Sequence, residues 1–217
     1  MNTNEVVILL HGMGRSRLSM VLLAIRIRRQ GFRTVNIDYP STRKSIEALS
    51  EEYLAPAIAA CKEQGAAKIH IVTHSLGGII ARQYLQNQSL PEGSRIVMLS
   101  PPNKGSEVTD ALRNSLLYKL ATGPAGQSLG TEAASLPNRL QRVQVEIGII
   151  TGSRSSDPWF SRLFPGEHDG KVSVERARLE EMVDFLVVSK GHTLIMNSRY
   201  VMQQVVYFLR NGSFEKS

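Results

Sequence analysis

The chain has 217 residues, 42% hydrophobic and 21% charged, which is enough apolar length to bury a core without disulfide staples. Its one cysteine, Cys61, excludes an intrachain disulfide framework, fits a reducing compartment and reads as a small buried helix residue. The formal net charge of +7 is scattered over "RIRRQGFR", "NKGS", "PNRLQR" and "ERAR", without a basic-aromatic stripe or nucleic-acid motif, so it reads as a solvated surface and excludes a nucleic-acid partner.

In chain order, "MNTNEVVILLHG" has no basic n-region, and its apolar run, Val6 to Leu10, is too short for a signal peptide. No stretch approaches the roughly 18 apolar residues of a membrane span, so the expectation is a cytoplasmic chain without stable membrane insertion. Strands are expected at 5–10, 33–39, 68–73, 95–100, 143–151 and 183–188. They are short, rich in Val and Ile, and lack the alternation of a half-exposed sheet, as strands covered on both faces do. Helical patterns fall between them at 16–30, 45–63, 77–88, within 106–136, at 174–181 and at 193–210. The first is apolar nearly all round and reads as buried, with its opening turn near Met20 a candidate lining of a substrate pocket. Strand-helix alternation points to an α/β fold with a mostly parallel sheet of about six strands and helices on both faces, in one domain over 1–217.

Two connections are long, about forty residues after the fourth strand and about thirty after the fifth, and both leave the carboxyl ends of strands, where open α/β sheets place their ligands. Within the first, Leu112, Leu116, Leu117, Tyr118 and Leu120 read as one amphipathic helix, either a small lid over 104–138 or an ordinary covering helix.

"VTHSLGGIIARQYL" (72–85) runs strand, sharp turn, helix, with Ser75 at the turn and a small residue, Gly77, where backbone and helix crowd together. The N–H of Leu76, at the helix start, faces any negative charge that develops there. The segment resembles the nucleophile elbow of the α/β-hydrolase superfamily, most like the "HSLGG" form of bacterial lipases and esterases; Thr73 departs from glycine at the position two before the serine. Three further segments carry the same resemblance. "VVILLHGMGRS" is similar to the His-Gly oxyanion loop, which implies that the N–H groups of Met13 and Leu76 form the oxyanion hole, with His11 beside the substrate. "GEHDGKVSV" resembles the acid loop and offers Asp169; Asp157, nearer the strand end, competes for that role, and Glu167 is more remote. "VVSKGHTLI" resembles the segment of the catalytic histidine and offers His192.

The order Ser75, Asp169, His192 is that of the superfamily. The resemblance therefore implies a minimal α/β-hydrolase fold with a small lid or none, and hydrolysis of a small-molecule or lipid carboxylic ester through an acyl-enzyme on Ser75, with no metal or other cofactor. A thioesterase would use the same machinery, and a non-catalytic binding protein of this fold is the other alternative. A dinucleotide-binding reading of "HGMGRSR" with Asp38 founders on Arg17, where the fingerprint needs glycine.

Overall fold

The structure, a computed structural model, describes residues 4–155 and 158–216. All six expected strands are present: β1 (Glu5–Leu10), β2 (Arg33–Ile37), β3 (Lys68–His74), β4 (Arg95–Leu99), β5 (Glu146–Gly152) and β6 (Asp184–Val188). They form one sheet in the order β2-β1-β3-β4-β5-β6, parallel at every pairing and so more uniform than the mostly parallel sheet the sequence suggests.

A 3-10 turn (Arg17–Met20) leads into α1 (Val21–Arg28). The 45–63 helix passes from α2 (Ile46–Leu49) through a π turn (Ser50–Leu54) into α3 (Ala55–Glu63), and α4 (Leu76–Tyr84) follows β3. The connection from β4 to β5 holds α5 (Glu107–Leu112), α6 (Leu116–Gln127) and α7 (Leu136–Arg139). A 3-10 turn (Pro158–Leu163) and α8 (Val174–Ala177) precede β6, and a last 3-10 turn (His192–Asn197) precedes α9 (Arg199–Asn211).

Successive side chains of a strand point to opposite faces, and both faces of this sheet are covered. Val6, Ile8 and Leu10 of β1 join Ile46, Leu54, Ile58 and Ile80 in one apolar layer, while Val7 and Leu9 join Leu23, Ile27, Val205 and Phe208 in the other. Helices α2, α3 and α4 therefore lie on one side and α1 and α9 on the other, which is why the strands show no polar alternation. Cys61 is buried in the first layer.

Three helical expectations need correction. The 16–30 segment is not buried all round: Leu18 and Leu22 are 74% and 57% exposed, because the 3-10 turn buries only Met20 and α1 meets the sheet through one stripe, Leu23, Ala24 and Ile27. Leu112 to Leu120 form two helices, interrupted at residues 113–115; Leu116, Leu117 and Leu120 face solvent while Tyr118 turns inward. The helix at 174–181 stops at Ala177, because extended backbone at Arg178 lets Leu179 enter the core and sets the Arg178 guanidinium 3.9 Å from the centre of the Phe185 ring.

The strand order places a crevice. From β1 the chain moves outward to β2, whereas β3 lies on the other flank of β1, so the loops after β1 and β3 diverge at the carboxyl edge. Leu10 is paired with Thr73, so the loop that begins at His11 starts beside the end of β3 at His74.

Arg82 of α4 closes the base of the long β4–β5 connection. Its buried guanidinium donates to the carbonyl oxygens of Asn103 (3.0 Å), Pro137 (3.2 Å) and Leu140 (3.2 Å). Burial pulls its pKa down to about 10, so it remains a cation at neutral pH. Each buried acceptor left bare costs about 1–3 kcal/mol, so Arg82→Met is expected to lower unfolding stability by about 3 kcal/mol or more in urea titration.

Candidate active site

Strand β3 ends at His74 and α4 begins at Leu76, so Ser75 alone makes the turn. Its backbone sits at φ 50° and ψ −119°, a conformation that costs a non-glycine residue about 1–3 kcal/mol and collects at functional sites. Among the described residues other than glycine, only Ser100, at φ 49°, shares a positive φ. A Cβ on Gly77 would lie 2.9 Å from both the Cβ and the carbonyl oxygen of Leu10, so only glycine lets α4 approach β1 this closely. Gly77→Ala is expected to cost about 1–3 kcal/mol, read as a lowered Tm. Thr73, the departure from the strict elbow pattern, is buried without disturbing the turn. The Ser75 side chain caps no helix, and it opens into a cavity of about 240 Å³ shared with Met13, Tyr118, Leu129, Val172 and His192.

His192 reaches this cavity from the turn after β6. Its Nδ1 lies 2.8 Å from Oδ2 of Asp169, whose Oδ1 accepts from the backbone N–H groups of Lys171 (3.0 Å) and Val172 (2.9 Å). An ionised carboxylate can only accept, so Nδ1 carries the proton and Nε2 keeps its lone pair for the cavity. The His192 N–H also donates to the Asp169 carbonyl at 2.9 Å, which fixes ring and backbone to one residue. Burial pushes the Asp169 carboxyl up, but the facing His192 and the groups around the carboxylate outweigh it and hold the carboxyl below its ordinary range. Glu167 is exposed, His168 stacks on Phe164 at 4.1 Å, and Asp157 lies outside the described residues.

The loop after β1 is braced from behind. Met13 lines the cavity, and Leu76 is the first residue of α4, where helical N–H groups lack an intrahelical acceptor. His11, expected beside the substrate, is instead fully buried: Nδ1 donates to the Gly12 carbonyl (2.8 Å), Nε2 accepts from the Tyr39 N–H (3.4 Å), and the ring stacks on Tyr39 at 3.9 Å. The Tyr39 hydroxyl donates to the His11 carbonyl, and the Gly14 N–H donates to Ser41 Oγ at 3.0 Å. Met20 is likewise outside the cavity, because its 3-10 turn rolls it into the core and leaves Leu18 outward.

Three histidines near this edge or within the sheet are neutral. Burial lowers the pKa of His11, brings His70 down to about 4 and, with the facing His192, brings His74 to about 3. A histidine released by unfolding titrates near 6.5, so below that pH the unfolded chain binds more protons than the folded one. Stability is therefore expected to be constant above pH 7 and to fall from about 6.5 toward 4, by up to about 1.4 kcal/mol per pH unit for each histidine, in chemical denaturation at stepped pH.

Elsewhere, a depression of about 740 Å³ between α1 and α9 is lined by Leu22, Arg26, Arg29 and Arg199 and brings no nucleophile and base together. Among the described residues, no group of three or more His, Cys, Asp or Glu side chains could hold a metal ion, and no helix is long and apolar enough to cross a membrane.

The model of the "Alpha/beta hydrolase family" matches residues 7–199. The chain belongs to that family. Among solved structures, this alpha/beta hydrolase is similar to mature lipase BlEst2 of Bacillus licheniformis (TM-score 0.78, 18% identity, 94% of this chain and 91% of that one). It is similar also to phospholipase PlaB of Legionella pneumophila (TM-score 0.75, 15% identity, 96% and 60% of the two chains). A third is the monoacylglycerol lipase of Paleococcus ferrophilus (TM-score 0.62, 16% identity, 96% and 95%). Comparison with curated proteins finds no match. At these identities the likeness is one of fold.

Of the residues singled out in the sequence, the structure brings Ser75, Asp169, His192 and Met13 to one place and sets His11 and Met20 apart from it. Sequence reading passes over Tyr39, Ser41 and Ser100. Tyr39 and Ser41 sit just past a strand end and Ser100 at one, so position along the carboxyl edge is the signal that could have found them.

Proposed function

We propose that this chain is a serine hydrolase that cleaves carboxylic esters of modest size through an acyl-enzyme on Ser75. The observation that carries the reading is the 2.8 Å contact of His192 with the buried Asp169, in the same cavity as a serine held on a strained strand-to-helix turn. His192 Nε2 takes the Ser75 proton as Oγ attacks the ester carbonyl, and the Met13 and Leu76 N–H groups receive the charge that develops on the carbonyl oxygen. The imidazolium, stabilised by Asp169, then protonates the leaving alcohol. Water, deprotonated by His192, releases the acid. The fold family and the lipase structures that share its architecture favour an ester over other acyl substrates.

A cavity of 240 Å³ is smaller than the roughly 300–1,000 Å³ usual for drug-sized ligands, which supports a short acyl group. Segment 104–138 acts as a small lid, Tyr118 and Thr122 of α6 forming its inner wall. The test is intact mass after fluorophosphonate treatment, followed by an ester and thioester panel. One adduct on the wild type and none on Ser75→Ala supports the reading. No adduct on folded wild type overturns it in favour of a binding protein, and preference for thioesters would make the enzyme a thioesterase.

A further inference from the structure

His74, the residue before the elbow serine, looks unsuited to the reaction because its ring cannot fold back onto its neighbour's hydroxyl. The structure gives it other partners. Its Nε2 lies 2.9 Å from the carbonyl oxygen of His192, a residue 118 positions further along the chain. A carbonyl only accepts, so Nε2 carries the proton and Nδ1 is a bare acceptor. That Nδ1 is buried and makes no hydrogen bond among the described residues. It faces Gly12, where a Cβ would lie 2.6 Å away, so the glycine of the oxyanion loop gives the ring its room.

From these contacts we infer that His74 is a positioning residue: its Nε2–H holds the backbone of His192 so that the His192 ring addresses Ser75. The inference rests on the hydrolase reading above. Sheet topology explains why such a tie is needed. Strands β3 and β6 are separated by β4 and β5, so no ladder hydrogen bond sets the height of the His192 turn against the elbow. With His74 in place, both backbone polar groups of His192 are engaged, its N–H by the Asp169 carbonyl and its carbonyl by His74, while Nδ1 is held by the Asp169 carboxylate. Only Nε2 is left to act. The tie starts one peptide bond from Ser75, so nucleophile and base move as one body. Burial keeps the His74 ring neutral, with a pKa near 3, so the donor persists wherever the enzyme would work. Filling the site would be served as well by an apolar ring that leaves no buried acceptor unpaired; what histidine adds is the donor at Nε2.

The test compares amides of different reach. Glutamine carries its N–H₂ to the level of the histidine Nε2, whereas asparagine stops at the level of Nδ1. The readouts are the second-order rate of fluorophosphonate labelling, kcat and KM for p-nitrophenyl butyrate, and Tm. His74→Asn is expected to lose about 30- to 100-fold in labelling rate and kcat with KM little changed, the size of effect expected when a reacting group is misplaced by about 1 Å. His74→Gln is expected to recover most of that loss. His74→Met is a second variant without a donor, and whichever of Asn and Met melts within a few degrees of wild type is compared with Gln. Equal impairment of the Gln and donor-less variants, or a loss of less than about threefold in both, overturns the inference while leaving labelled wild type as support for the hydrolase. Wild type that takes no label overturns both.

Discussion

Ser75→Ala is expected to take no fluorophosphonate adduct and to lower kcat for a short ester by about five to six orders of magnitude, with an unchanged far-UV spectrum. The size follows from the proposed division of labour. Ser75 and His192 act in one proton-coupled attack, so without the hydroxyl the imidazole has nothing to deprotonate but water, and without the imidazole the hydroxyl is an ordinary alcohol. His192→Ala should therefore cost nearly as much, and the double variant should be barely worse than either single one. Residual hydrolysis, some three to four decades above the uncatalysed rate, would come from binding and the oxyanion donors. Effects that multiply across the two positions would mean that the residues do not work on the same proton. Fold is not expected to suffer: Ser75 caps no helix, and the strain of its positive φ is present whether or not the hydroxyl is.

Asp169→Asn is expected to lower kcat by about four orders of magnitude while leaving the backbone of the acid loop in place, in line with the effect known for this change in the chymotrypsin-type triad. The Lys171 and Val172 N–H groups both donate to Oδ1, so an asparagine would keep its carbonyl oxygen there and turn its N–H₂ toward His192. Nδ1 of His192 must then accept, which puts the ring proton on Nε2, where the lone pair for Ser75 is needed. The damage is a wrong tautomer rather than a lost charge alone. Steady-state kinetics beside a thermal melt checks it: a large kcat loss with a Tm near wild type is the expected pair, and a loss below about tenfold would move the acid role to Asp157.

How much of this was legible in the sequence depends on the range of the interactions involved. The six strands and their burial on both faces follow from short Val- and Ile-rich runs, because the period of side chains along a strand is a local property. The turns that carry Ser75, Asp169 and His192 are legible because each has its own local residue pattern. Illegible was whatever depends on which way a helix rolls. Leu116, Leu117 and Leu120 suggest an apolar face turned inward, yet α6 turns Tyr118 to the cavity and leaves the leucines outside. His11 sits in a motif that promises substrate contact, but stacking on Tyr39, 28 residues away, draws its ring behind the loop. His74 is the sharpest case: its neighbour in sequence gives no hint that its partner is the carbonyl of residue 192.

The Arg82 clamp makes the architecture modular. Because one guanidinium gathers the carbonyls of Asn103, Pro137 and Leu140, the excursion between them leaves and rejoins the sheet through a fixed gateway. Its exposed stretch around Leu116 and Leu117 can therefore vary without altering the alignment of β4 with β5, whereas Ala125, Leu129 and Leu136 are bound into the core. On the proposed reading, exchange of residues 112–122, which carry Tyr118 and Thr122 to the cavity, is thus a route to new acyl selectivity, and the same socket would let natural descendants of this chain diversify by replacement of that stretch.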